Sequence, residues 1–175
     1  MSAKKINIRE LSLKEIKSSL KKLGEQDFRG KQIYEWLWQK DAFSFDDMTN
    51  LSISLREKLA EEFFIDHITL KDQQISIDKT IKCAFSVGEN KVIEGVLIPT
   101  DKRTTACISS QIGCSLACKF CATGKLKLMR NLNAGEIVDQ VVYLKEQAAS
   151  RYNKSLSNIV YMGMGEPLLN YKHML

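Results

Sequence analysis

Apolar residues recur at helical spacing near the start of the chain. Leu13, Ile16, Leu20 and Leu23 share one face of a segment that opens on Ser12 and Glu15, the two members of a capping box, and is followed by Gly24. The pattern predicts a helix over 12–23 whose other face carries Lys14, Lys17, Lys21 and Lys22. Ile33, Tyr34, Trp36 and Leu37 predict a second helix over 31–39, and a third is expected over 55–63 behind a Ser54/Glu57 box. Residues 1–65 thus read as a small helical unit. Its lysines and aromatics suit either an RNA backbone or an ordinary solvated surface.

From Ile68 the period changes to two. Ile75 and Ile77, then Ile81, Cys83, Phe85 and Val87, then the run 92–98 read as strands, with Asp78-Lys79 and Gly88-Glu89-Asn90 as turns. This is an antiparallel meander over 66–100. A strand over 104–109 follows, then a cysteine-rich loop and a helix over 134–149, which starts at Asn133/Glu136 and aligns Ile137, Val141 and Leu144. A strand over 157–162 comes next. A strand-loop-helix-strand unit of this kind is a parallel crossover, and it places ligands at the carboxyl ends of its strands. Both the cysteine loop and Gly163-Met164-Gly165-Glu166-Pro167 fall there. The expected class is α/β, in three parts: 1–65, 66–100 and 101–175.

Composition narrows the picture. The chain has 175 residues, of which 44% are apolar and two are Pro, enough for about one domain with a small appendage and too apolar for a disordered chain. The first ten residues hold no apolar run that could act as a signal peptide, and no stretch is long and uncharged enough to span a membrane, so a cytosolic protein is expected. Charge is segmented: residues 1–40 carry ten basic and five acidic side chains, residues 41–100 six and eleven, and residues 101–175 ten and five. Between Lys102 and Gly135 six basic residues occur with no acid, a stretch that either attracts phosphate or an anionic cofactor or forms a solvated basic face.

Five cysteines, an odd number in a reducing compartment, argue for metal ligation or thiol chemistry over disulfides. Cys114, Cys118 and Cys121 form C-x3-C-x2-C between a predicted strand and an amphipathic helix. Three thiolates suit a four-iron cluster with one iron left open to a small molecule. A structural zinc site would need a fourth ligand, for which Cys107 and His173 are the candidates. Glu94 is the only charge between Val92 and Ile98 in a run apolar on both faces. It reads as a desolvated general base or as a solvated edge-strand glutamate. Cys83 alternates with apolar strand residues and reads as a structural thiol.

The cysteine triple with Phe120 before its last member resembles the radical S-adenosylmethionine signature. The segments 103–114, Arg130-Asn131-Leu132 and 162–170 narrow the resemblance to RNA adenine C2 methyltransferases of the RlmN and Cfr type, nearer RlmN, over almost the whole chain. The resemblance implies the start of a partial (β/α)6 barrel, preceded by the helical domain and the meander. It implies a [4Fe-4S] cluster on Cys114, Cys118 and Cys121, and S-adenosylmethionine bound through Phe120, Gly165 and Glu166. It also implies Glu94 as proton acceptor and Cys107 as the partner in a transient disulfide. The substrate implied is an adenine of 23S ribosomal RNA, with transfer RNA as a second candidate, and a flavodoxin-like protein is implied as electron donor.

The chain departs from the family in length. Members are about twice as long, and the cysteine that carries the methyl group lies in the part without a counterpart here. The expectation is an N-terminal half that does not turn over alone. Lys127-Leu128-Met129 also replaces the family's more usual Gly-Phe-x. C8 methylation of the Cfr kind, or a zinc-stabilised RNA-binding module without catalysis, are the alternatives.

Overall fold

The computed structural model describes residues 5–88 and 91–174, which divide into two compact units, Met1–Asp66 and His67–Leu175.

The first unit is built from three helices, α1 (Leu13–Lys22), α2 (Asp27–Trp38) and α3 (Ile53–Glu62), with a short parallel bridge between β1 (Ile6–Asn7) and β2 (Phe63–Phe64). Ser12 accepts from the Glu15 N–H, and the Glu15 carboxylate accepts from the Ser12 N–H, so the predicted box forms; such caps stabilise by about 1 kcal/mol. Two expectations need correction. α2 begins four residues earlier than its apolar pattern, at Asp27, and includes Gly30, which packs on α1: a Cβ there would lie 2.6 Å from Lys17 Cγ. α3 is capped by Ser52, whose hydroxyl accepts from the Leu55 N–H, and not by Ser54. Ile16, Leu20, Ile33, Leu37, Leu55 and Leu59 form the core of this unit.

The second unit is built on a five-stranded mixed sheet. β3 (Thr69–Ile75), β4 (Ile81–Val87), β5 (Lys91–Pro99) and β6 (Thr104–Cys107) pair antiparallel in sequence. The chain then makes the small hairpin of β7 (Gln111–Ile112) and β8 (Arg130–Asn131), and runs through α4 (Ala134–Tyr152) to β9 (Asn158–Val160), which is parallel to β6. The order across the sheet is β3-β4-β5-β6-β9, and a last short helix, α5 (Tyr171–Met174), follows. The meander and the crossover are therefore one sheet. Ile77 lies beyond β3 and is fully exposed, as a turn residue, and β6 ends at Cys107, two residues short of the expected strand. The Asp78-Lys79 turn forms, with the Lys79 N–H donating to Ser76 O. In the second expected turn, Glu89 and Asn90 lie outside the described residues.

Strand alternation sorts the sheet into two faces. Ile81, Cys83, Phe85, Ile93, Leu97 and Ala106 are fully buried and pack with Ile137, Leu144 and Ala148 of α4. Gly95 belongs to this face: a Cβ would stand 3.0 Å from the Phe85 ring and 3.5 Å from Leu144. The opposite face carries Lys82, Ala84, Val92, Glu94 and Val96, none of them fully buried. β9, the last strand in the order, has Asn158 and Ile159 exposed. No helix among the described residues is long and apolar enough to cross a membrane.

Candidate functional site

The parallel pairing of β6 and β9 continues past both strands. Ile108 N–H donates to Val160 O, Gly163 N–H to Ile108 O, and Ser110 N–H to Met164 O, so the two strand-end loops close on each other. Gly163 permits this, because a Cβ there would lie 2.7 Å from Ser109 Oγ and 2.8 Å from Ile108 C.

Fully buried polar side chains lock the junction. Ser109 Oγ donates to Glu94 O and accepts from the Met164 N–H, tying β5 to the loop after β9. Gln140 of α4 accepts from the Ser109 N–H and donates back to Ser109 O. Gln111 donates to Asn131 Oδ1 and accepts the Glu166 N–H, while Asn170 donates to both Ser110 O and Leu132 O. Leaving one such buried group unpaired costs roughly 1–3 kcal/mol. Sequence reasoning missed these positioning residues. Their only signal is the polar run Ser109-Ser110-Gln111 directly after an apolar strand.

The cysteine loop rises from this junction. β7 and β8 close its base, Met129 N–H donates to Ile112 O, and Cys114 N–H donates to Leu126 O. Gly113 sits at the neck with φ +75°, in the left-handed region that favours glycine, and a Cβ there would lie 2.1 Å from Lys127 O. Within the loop the Cys121, Gly124 and Leu126 N–H groups bond to Cys118 O, Cys121 O and Thr123 O, giving tight consecutive turns. Arg130 grips Glu136 through both guanidinium nitrogens, at 2.8 and 2.6 Å, and Glu136 completes the capping box of α4 with Asn133.

Cys114 and Cys121 are half-buried and Cys118 is exposed; all three are free thiols. Leu116 N–H points at Cys114 Sγ, 3.4 Å away. Donation from the Gly124 backbone, helped by Thr123, holds the Cys121 thiol below the usual range, whereas burial pushes the Cys83 and Cys107 thiols up. Among the described residues no three Cys, His, Asp or Glu side chains are gathered as a ready ligand set. A consequence is measurable. At neutral pH mild alkylation followed by mass mapping should label Cys121 early, and Cys83 and Cys107 only after denaturation; early labelling of Cys107 would contradict this environment.

The other expected site residues are placed as follows. Phe120 is 94% exposed at the loop tip. Gly165 has φ +97° and packs on Gln111, where a Cβ would be 2.5 Å from the Gln111 Cβ. Glu166 caps the turn after it, accepting from the Leu168 N–H. Cys107 ends β6 opposite Val96, so it shares a sheet face with Glu94, which stands two residues from Val96 in β5. Of the two readings of Glu94, its exposure fits the solvated one, although β5 lies inside the sheet and is not an edge strand. The Glu94 side chain is 46% exposed and pairs with Lys82 Nζ at 2.7 Å: Ala84 stands directly across from it on β4, and Lys82, two residues along on the same face and opposite Val96, reaches it diagonally.

Known proteins resemble the chain over nearly its whole length. Residues 6–65 match the family described as ribosomal RNA large subunit methyltransferase N-terminal domain. The chain is 54% identical to a probable dual-specificity RNA methyltransferase RlmN of Cytophaga hutchinsonii, over 98% of this chain and 47% of that protein. It is 50% identical to the one of Flavobacterium psychrophilum, over 100% and 50%. A radical SAM methyltransferase from Sphaerobacter thermophilus, known by crystal structure, superposes with a TM-score of 0.80 at 39% identity, covering 97% of this chain and 50% of its own. The chain spans about half the length of the curated relatives it matches. Over nearly its whole length the chain is therefore similar, in sequence and in fold, to the N-terminal half of RlmN-type RNA methyltransferases.

Proposed function

We propose that the family-length protein to which this chain corresponds methylates carbon 2 of an adenine in 23S ribosomal RNA, with transfer RNA as a second substrate, by radical S-adenosylmethionine chemistry in the cytoplasm. The observation that carries this reading is a single loop with three free thiols at the carboxyl ends of β6 and β9, bonded side by side to the Gly165–Glu166 loop.

Cys114, Cys118 and Cys121 would hold a [4Fe-4S] cluster, and the donor set fits. The thiols are soft and accessible, backbone donors are aimed at Cys114 and Cys121, and no carboxylate interrupts 102–135. When bound, the cluster and S-adenosylmethionine supply one-electron chemistry for a carbon too weakly nucleophilic to take a methyl group directly. Glu166 would hold the ammonium group of S-adenosylmethionine, and Phe120 would offer its ring to the adenine. Glu94, fixed by Lys82, takes a proton on the sheet face it shares with Cys107. Cys107 would attack the sulfur of the methyl-carrying cysteine in the rest of the family-length protein, the S–S bond forming as that sulfur's bond to the product carbon breaks and its electron pair leaves with the product; burial pushes the Cys107 thiol up, so its proton must leave before attack. A flavodoxin-like protein supplies the electron.

Anaerobic iron-sulfur reconstitution of the chain tests the core of this reading. About four irons per chain, with an electron paramagnetic resonance spectrum that changes on adding S-adenosylmethionine, is the expected result. One tightly held zinc and no cluster would sink it. Product analysis with the family-length protein separates C2 from C8 methylation.

A further inference from the structure

Two adjoining hollows, of about 420 and 180 Å³, share Thr100, Asp101 and Lys154 and make one cleft in the second unit. Three parts of the chain wall it: the β3–β4 turn with Lys79, the β5–β6 turn with Lys102 and Arg103, and the end of α4 with Arg151 together with Lys154 just after it. It lies where β6 and β9 begin, the opposite end from the cysteine loop, and so is separate from the site already described.

Several acceptors around this cleft are already used. Lys154 Nζ donates to Thr100 O, Tyr152 OH to Lys79 O, Thr100 N–H and Oγ1–H to Arg103 O, and Ser157 Oγ to Thr104 O. Asp78 is turned into its own loop, where the Thr80 backbone N–H and then its hydroxyl hold the carboxyl below the usual range. Arg151 is engaged by Gln147 and Gln73, and with Lys154 it suits the negative end of α4. Lys79, Lys102 and Arg103 remain exposed, with no side-chain ion pair or hydrogen bond among the described residues, against Asp101 as the one carboxylate not otherwise engaged. The uncommitted capacity of the cleft is three cations on two of its walls.

From this excess of donors we infer that the cleft holds phosphate groups of an RNA backbone, as an anchoring site remote from the modified base. The phosphate chemistry follows from the side chains; RNA as its source rests on the proposed function. Such contacts position a nucleic acid without reading its sequence and weaken with salt.

The test is fluorescence anisotropy of the whole 175-residue chain with a labelled RNA stem-loop across a salt series. A Lys102→Glu/Arg103→Glu double variant should bind roughly tenfold or more weakly at low salt, with a slope of log affinity against log salt shallower by about two. Asp101→Asn should bind more tightly, and a thermal melt confirms that each variant is folded. Unchanged affinity and slope in the double variant, or loss confined to Lys14→Glu/Lys21→Glu on α1, overturns the proposal. Inorganic phosphate and pyrophosphate form the second arm, followed by nuclear magnetic resonance. Submillimolar shifts at Lys102 and Arg103, with RNA binding intact in the double variant, would assign the cleft to a small phosphate ligand instead. None of these readouts uses methylation, so they fail or succeed independently of the proposed activity.

Discussion

Replacing Cys118 with alanine should abolish cluster assembly: iron bound after anaerobic reconstitution falls from about four per chain to background, and the spectrum that responds to S-adenosylmethionine disappears. The size of the effect follows from the ligand count. A cluster already open at one iron has no spare protein ligand, so losing one of three thiolates leaves two, on a loop that is not preassembled among the described residues. Cys118 is the cleanest of the three to change because it is exposed, and its removal leaves no cavity. Cys83→Ala is the matched control: it empties a fully buried position behind the sheet and should lower stability without reducing iron content. If Cys118→Ala kept its iron and its response, the loop would not be the cofactor site.

The second large effect is steric. Gly113→Ala places a methyl group 2.1 Å from Lys127 O on a residue with φ +75°. The left-handed conformation alone costs roughly 1–2 kcal/mol for a residue with a side chain. The clash is with backbone, which cannot rotate aside, so the two strands of the loop neck must separate. A total loss of about 2 kcal/mol or more is expected, equivalent to a fall in melting temperature of roughly 8 °C or more in a unit of this size. Gly24→Ala is the comparison, since Gly24 has φ +77° but an added methyl group would meet nothing within 4 Å. It should show the conformational cost alone, in its own helical unit, and a Gly113→Ala loss no larger than that would mean the neck is not closed as described. Because Gly113 directly precedes Cys114, Gly113→Ala should also reduce iron incorporation, which Gly24→Ala should not.

The elements differ in how far they are legible in the sequence. α1 can be read to within a residue because its signals are local: a capping pair, a four-residue apolar repeat and a glycine. α2 begins earlier than its apolar pattern, at Asp27, and includes Gly30, a poor helix former in isolation that packs on α1. The meander is readable from period-two alternation, yet β3 is largely exposed and its bounds depend on pairing with β4. The choice between the two readings of Glu94 rests on pairing for the same reason. A run apolar on both sides suggests burial, but register decides the surroundings: it sets the small Ala84 directly opposite Glu94 and brings Lys82 diagonally within reach.

By itself the sequence determined the α/β class, the helical unit, the cysteine spacing and, through its motifs, the family resemblance. Each of these is written in residues close together along the chain. Tertiary structure alone decided the rest: that meander and crossover form one sheet, that Glu94 and Cys107 share a face, and that Ser109, Gln111, Gln140 and Asn170 bind the two strand-end loops together. It also gathered Lys79, Lys102 and Arg103 around one cleft from turns far apart in the chain. The physical reason is range. Caps and periodicities reflect backbone geometry over a few residues, whereas hydrogen bonds between distant segments and shared clefts exist only once the burial of Phe85, Leu97 and Leu144 has fixed how the sheet and α4 meet.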